Sequence, residues 1–397
     1  MYSAVLIKED FLTVKRFLKN KNKKMEKRLA DCNDALLRLK RECEEFQVWD
    51  NINDLSVLLL RLLSEYEDFL QEAVIEPEAK EAVLGLYFDV RQFLAVFDMF
   101  GEDYRIYTDY TEQGEFRLKL LCMEPARALK ERLEWGRSAV MFSATLLPIA
   151  YYKEQLGGTA EDYAIYVSSP FDVKKRLLMV GRDVSTKYTR RSRSEYEKIA
   201  AYLDAFTGAK LGNYFVFFPS YQMLEQTAEV AEELLGWSES SGHMRLFVQK
   251  QGMTEQEKEA FLQAFSEQPD KLTVGFCVMG GIFGEGIDLK NDRLIGTVIV
   301  GTGLPMVCNE KELFKFYFDE SNRSGFEYSY LYPGNKVMQS AGRVIRTTED
   351  CGAILLLDER FLSGSYQKLF PREWVPYETV TCATMKKKLE DFWKKKN

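Results

Sequence analysis

The chain has one histidine, His243, in 397 residues. That leaves almost no room for a histidine triad or a histidine-rich metal centre, and His243 reads as a loop residue. Cysteine is scattered: Cys32, Cys43, Cys122, Cys277, Cys308, Cys351 and Cys382 include no C-x₂-C pair. A structural zinc site is therefore disfavoured, and reduced thiols are the default. No apolar run approaches the roughly 20 residues of a membrane span. The N-terminus lacks a signal-peptide pattern, so the expected compartment is the cytoplasm. A formal net charge of −7 argues against a uniformly basic coat for nucleic acid, yet allows a local basic groove. No G-x-x-x-x-G-K-[ST] occurs, so these residues hold no phosphate-binding P-loop.

What is present is a soluble-type composition, 46% hydrophobic and 29% charged, long enough for two or three domains with real cores. Residues 1–115 read as a helical domain. After the basic run Lys19–Lys24, the apolar positions Met25, Leu29, Cys32, Leu36, Leu39 and Cys43 follow alternating spacings of four and three. Ile52, Leu55, Leu59, Leu62, Tyr66 and Phe69 repeat the stripe, as do Ala79, Val83, Leu86, Val90, Phe93, Phe97 and Phe100, with Pro77 at a first turn. These stripes are core positions of a helical bundle, not chemistry.

The period then changes. Tyr104–Tyr110 and Phe116–Leu121 look extended around Gly114, and Ala139–Phe142 reads as a buried strand. From about residue 160 strand and helix alternate. Strand-like runs are Tyr163–Val167, Leu177–Val180, Tyr214–Phe218, Arg245–Val248, Leu272–Met279, Leu294–Val300 and Ala353–Leu357. Helical patterns fill 194–207, 221–235 and 254–266, the last opening with the capping box Thr254-x-x-Glu257. Alternation of this kind predicts an α/β fold with a parallel sheet, whose sites gather in loops at the carboxyl ends of strands.

Four stretches sit where such loops belong. Ser143-Ala144-Thr145-Leu146 follows one strand. Phe217-Phe218-Pro219-Ser220-Tyr221 ends another and offers a hydroxyl and a ring. Gly280-Gly281-Ile282-Phe283-Gly284-Glu285-Gly286-Ile287-Asp288-Leu289 follows a third. Its glycines allow close backbone approach to a ligand, and Glu285 and Asp288 supply acceptors. In the fourth, Gln339-Ser340-Ala341-Gly342-Arg343-Val344-Ile345-Arg346, the residues Gln339, Arg343 and Arg346 share one face if the stretch is helical. Pro333-Gly334-Asn335 would break the chain before that helix and cap it. Taken singly, each has a plain alternative: a turn, a cap, or an amphipathic helix with solvated arginines.

Taken in order, SATL, FFPSY, GGIFGEGIDL and QSAGRVIR resemble motifs III, IV, V and VI of the XPD/DinG-like branch of superfamily 2 DNA helicases. Tyr330-Leu331-Tyr332-Pro333-Gly334 and Leu357-Asp358-Glu359-Arg360 also look like that branch. The match runs from about 116 to 373, and the helical region before it has the position, though little of the sequence, of the family's Arch insertion. The resemblance implies an N-terminal α-helical Arch-like bundle over 1–115 and the end of a first motor domain over 116–160. Residues 161–397 would then be a second RecA-like domain, P-loop NTPase-like but itself without a P-loop. By the same resemblance Arg343 and Arg346 are finger arginines, and Gln339 contacts the nucleotide from their face. Glu285, Gly286 and Asp288 join the nucleotide-side loop. Ser220 and Tyr221 touch single-stranded DNA, while Ser143 and Thr145 couple nucleotide state to DNA.

In that family the P-loop, the iron–sulfur cysteines and the DEAH box precede the Arch. The expectation is therefore a C-terminal fragment of a longer helicase, with 5′→3′ polarity implied and a role in DNA repair or replication. ATP and Mg²⁺, and any iron–sulfur cluster, would be held by the first motor domain of the same full-length protein, and none by these residues alone. Single-stranded DNA is the expected partner, and a membrane is not. The rival reading is a non-catalytic half-motor, a scaffold or single-strand-binding module that docks a partner through its heptads. Two basic stretches stay open between solvated surface and phosphate contact. One spans 182–198, with Arg182, Lys187, Arg190, Arg191, Arg193 and Lys198; the other is the terminal Lys386–Lys396 with Phe392 and Trp393 docked.

Overall fold

The computed structural model of the chain describes residues 2–72, 77–143, 145–238, 242, 244–284, 289–334 and 336–396. Two compact units divide it, Met1–Met141 with Lys153–Asp162, and Phe142–Tyr152 with Tyr163–Asn397.

The first unit runs β1 (Ala4–Ile7), α1 (Lys8–Phe17), α2 (Lys23–Glu42), β2 (Gln47–Trp49), α3 (Asn53–Glu72), α4 (Pro77–Phe97), β3 (Tyr104–Tyr110), β4 (Phe116–Cys122) and α5 (Ala126–Leu133). The basic run before α2 is a connection, and Asn22 caps the helix by accepting from the Met25 N–H at 3.1 Å. The three predicted stripes are its core: Leu29, Cys32, Leu59, Leu62, Tyr66, Val83, Val90 and Phe93 are fully buried in one cluster. Burial pushes the Cys32 thiol up to about 12, which makes it an inert packing group.

The unit is not helical alone. An antiparallel sheet in the order β1-β4-β3-β2 closes one side of the core. Its β3–β4 hairpin pairs Tyr104 with Cys122 and Tyr110 with Phe116. The expected boundary between residues 115 and 116 falls within that hairpin, because β4 satisfies its backbone groups on β3 and β1 rather than on a later sheet. Helix α6 (Ile149–Gln155) runs through the point where the two units divide.

In the second unit the alternation appears as predicted. In order come β5 (Arg176–Gly181), α7 (Arg193–Thr207), β6 (Asn213–Phe218), α8 (Tyr221–Leu235), β7 (Met244–Val248), α9 (Glu255–Gln263), β8 (Leu272–Val278) and β9 (Gly296–Val300). They are followed by α10 (Asn309–Glu320), α11 (Val337–Ala341), β10 (Gly352–Leu357), α12 (Gly364–Gln367), β11 (Glu378–Val380) and α13 (Cys382–Lys394). The strands form a seven-stranded sheet in the order β11-β5-β10-β9-β6-β8-β7, and every pair is parallel. This is a RecA-like α/β arrangement. Alternate residues of β6 serve opposite faces: Tyr214, Val216 and Phe218 pack towards α7, α8 and α13, while Phe215 and Phe217 pack towards α9 and α11. Trp393 docks the C-terminal helix on the first of these faces.

Two expected strands are absent. Ala139–Phe142 and Tyr163–Val167 join no strand, and their apolar side chains are exposed, Phe142 to 89% and Tyr163 to 96%. A buried strand needs a paired neighbour, and among the described residues no strand pairs with either segment. No helix of the described residues is long and apolar enough to cross a membrane.

Candidate nucleotide and nucleic-acid site

Because every strand of the large sheet is parallel, the loops that leave its strands share one edge. Gln249, just past β7, ties several of them together. It is 3% exposed. Its Oε1 accepts from the Val278 N–H at 2.8 Å, its Nε2 donates to Tyr221 Oη at 2.8 Å, and its own N–H donates to the Phe276 carbonyl at 2.9 Å. Tyr221 opens α8 directly after Ser220, whose hydroxyl caps that helix by accepting from the Met223 N–H at 3.3 Å. The predicted Ser220–Tyr221 pair is thus half-buried and held at the end of β6.

The Gly-rich loop follows β8. Gly280 has φ +69°, which favours glycine, and the side chain of Lys336, the residue before α11, lies against it. At the loop's other end the Gly284 carbonyl accepts from Arg343 Nη2. The Gly-rich loop therefore meets the fourth sequence motif at Gly284 and the residue before α11 at Gly280. Glu285, Gly286 and Asp288 lie outside the described residues, as do His243 and the expected cap Asn335.

The arginine stretch differs from its expected form. Helix α11 ends at Ala341, and Gly342 leads into a turn. The Asp350 carboxylate accepts from the N–H groups of both Arg346 and Thr347 at 2.6 Å, which draws the chain out of the helix. Gln339, Arg343 and Arg346 consequently do not share a helical face. Arg343 is buried against the Gly-rich loop, whereas Gln339 and Arg346 are exposed.

Ser143 and Thr145 form a local pair, their hydroxyl oxygens 3.2 Å apart. Further along, Leu147 and Tyr151 pack on the second unit's core, and the Tyr151 ring meets Tyr328 and Tyr332 at centroid distances of 5.1 and 5.0 Å. The Tyr332 hydroxyl donates to Glu327 at 2.7 Å.

A second polar cluster lies where β5, β9 and β10 end. Asp358 is fully buried and accepts from the Thr186 N–H at 2.8 Å, Thr186 Oγ1 at 2.7 Å and Arg360 Nε at 2.8 Å. Burial pushes its carboxyl up, but the Arg360 hydrogen bonds and charge, with two backbone N–H groups, outweigh this and hold it below the ordinary carboxylate value. Gly301 packs on Thr186 with φ +77°, where a Cβ would sit 2.6 Å from Thr186 Oγ1. Gln249, Lys336 and Thr186 were not singled out from sequence. Each is a polar residue at a strand or helix end without a motif of its own.

Residues 203–377 match the family described as Helicase C-terminal domain. Among curated proteins the chain is similar to the regulator of telomere elongation helicase 1 homologs of Drosophila grimshawi, 27% identical over 62% of this chain and 26% of that protein, and of Aedes aegypti, 27% identical over 60% and 25%. The chain thus spans about a quarter of the length of the curated relatives it matches. Its fold is similar to an apo XPD structure, with a TM-score of 0.57 and 20% identity over 96% of this chain and 73% of that one. It is likewise similar to Xpd4 of S. tokodaii, with a TM-score of 0.58 and 14% identity over 96% and 72%. The second unit is therefore a helicase C-terminal domain. In the sequence of this domain the chain is similar to telomere-elongation-regulator helicases, and in fold it is similar to XPD structures.

Proposed function

We propose that this chain is the arginine-bearing half of an ATP-dependent DNA helicase motor that moves 5′→3′ along single-stranded DNA in the cytoplasm, in repair or replication. The observation that carries this reading is the Arg343–Gly284 hydrogen bond. It joins the Gly-rich loop to the last motif on the edge of the sheet where ligands of such folds bind. The exposed Arg346 guanidinium and Gln339 amide suit an anionic phosphate, and Arg343 braces the Gly-rich loop. ATP and Mg²⁺ would be held mainly by a P-loop domain, which supplies the metal-assisted phosphoryl transfer that a finger arginine only supplements. Tyr221, near the same edge, would contact the strand, and Ser143 and Thr145 would link it to nucleotide state.

The partner of this half is the first motor domain of the same full-length protein, with any iron–sulfur cluster on that side. The unpaired segments Ala139–Phe142 and Tyr163–Val167 support this. Exposed apolar, β-branched side chains suit pairing with strands of a neighbouring sheet, and Val140, Ile165 and Val167 are exposed to 84, 84 and 80%. The rival scaffold reading loses its heptads, since those seams are buried in the first unit's own core. The test is ATP turnover with and without single-stranded DNA. The purified chain is expected to bind strand and hydrolyse nothing, and to support turnover once joined to a P-loop domain. DNA-stimulated hydrolysis by the chain alone would overturn this division of labour.

A further inference from the structure

The loop between β5 and α7 is anchored with unusual care for a surface segment. Val184, Ser185 and Thr186 are buried. The Ser185 N–H donates to Glu195 Oε1 at 2.7 Å, the Thr186 N–H to Asp358 at 2.8 Å, and the Glu359 N–H to the Val184 carbonyl at 2.8 Å. Arg360 adds a hydrogen bond to Thr186 Oγ1 at 2.8 Å, and Lys187 an ion pair with Glu359 at 3.0 Å. From Lys187 to Ser194, by contrast, every residue is exposed. At the tip Tyr188 is 84% exposed, with the Arg191 guanidinium 5.5 Å from its ring centroid; Arg191 Nε donates to the Thr186 carbonyl at 3.4 Å, and Arg190 pairs with Glu195 at 4.0 Å.

The Tyr188 ring at this tip packs on no core cluster of the unit. The tip does supply what single-stranded nucleic acid needs from a surface: a π-face that any base can stack on, with guanidinium groups to meet phosphates. The loop leaves β5 on the same edge as Tyr221 leaves β6. The two strands are three spacings apart, about 14 Å, which a few nucleotides span. We infer that Tyr188, with Arg190 and Arg191, is a second single-strand contact of this unit, a stacking platform for one base and its phosphates. This rests on the proposed function for the identity of the ligand, and on the anchored loop for the position.

The experiment is equilibrium binding of a labelled oligothymidine single strand to the whole chain across a salt series. Tyr188→Ala is expected to weaken binding by about 5- to 150-fold, while Tyr188→Phe keeps the ring and the affinity. Arg190→Gln is expected to lower the slope of log affinity against log salt by about 0.7. The ring is exposed, so the melting temperature should not move. Binding by Tyr188→Ala equal to that of the unaltered chain would overturn the platform and leave the proposed function standing. Failure of the unaltered chain to bind any strand would overturn both. A duplex bound as tightly as the single strand, with no response to Tyr188→Ala, would mean charge alone and overturn the platform.

Discussion

Gln249 holds Tyr221 by a 2.8 Å hydrogen bond from Nε2 to Oη, and with its other amide atom receives the Val278 N–H, so one buried side chain couples the start of α8 to the end of β8. Replacing it by leucine leaves a buried backbone donor without its acceptor. Gln249→Leu should cost about 1–3 kcal/mol in denaturant unfolding and weaken strand binding by loosening the Tyr221 ring. Tyr221→Phe breaks the same hydrogen bond but keeps the ring, so it should weaken binding no more than Gln249→Leu does. A strong binding loss in Tyr221→Phe would mean that the hydroxyl itself meets the ligand.

The Asp358–Arg360 pair gives the second unit a defined acid response. The Asp358 carboxyl sits below its ordinary value of 3.8 in the folded chain, so its contribution is present above that value and is lost as pH falls through the lower folded one. Arg360→Ala removes the counter-charge and leaves burial to dominate, which should raise the carboxyl above its unfolded value, so that Asp358 no longer favours unfolding on acidification and the acid limb flattens. At neutral pH the same variant should lose about 3–5 kcal/mol. Unfolding followed across the acidic range checks both, and an unchanged acid limb would contradict the assignment.

The two arginines of the last motif should separate in their effects. Arg343 braces the Gly284 carbonyl from a buried position, so Arg343→Ala should lower stability by about 1.5–3 kcal/mol as well as reduce turnover of a complete motor. Arg346 is exposed, so Arg346→Ala should spare stability and lower the turnover rate by something like 10³–10⁵. Strand binding should survive both. Paired unfolding and steady-state ATPase measurements distinguish the roles.

The unpaired segments make a contrasting case. Phe142→Asp and Ile165→Asp replace exposed apolar residues and should change the stability of this chain by no more than about 0.5 kcal/mol. In a complete motor the same changes should impair assembly with the P-loop domain, read as lost co-purification. A large destabilisation of the chain itself would show that these segments already pack within it.

Much of the architecture was legible locally. The stripes Met25–Cys43, Ile52–Phe69 and Ala79–Phe100 became buried faces of α2, α3 and α4, and the strand-like runs became β5 to β10 within a residue or two. The hairpin around Gly114 was also evident, but not that β1 would complete its sheet, since four residues of alternating Ala4 and Leu6 carry too little pattern. Ala139–Phe142 and Tyr163–Val167 failed for the converse reason. Their apolar, β-branched composition describes a strand, but pairing is supplied by neighbours, and among the described residues those neighbours do not exist.

The sequence by itself determined the class of fold, the order of the four motifs and the absence of a P-loop, because periodicity, glycine placement and motif spacing are properties of short stretches. Only the tertiary structure decided that α11 stops before its arginines, that Arg343 is buried while Arg346 is exposed, and that Gln249 and Thr186 lock loops in place. Those outcomes depend on which distant donors and acceptors are left over once the sheet has formed: the Asp350 carboxylate, the Gly284 carbonyl and the Val278 N–H. Hydrogen-bond partners so far apart in the chain leave no periodic trace in it.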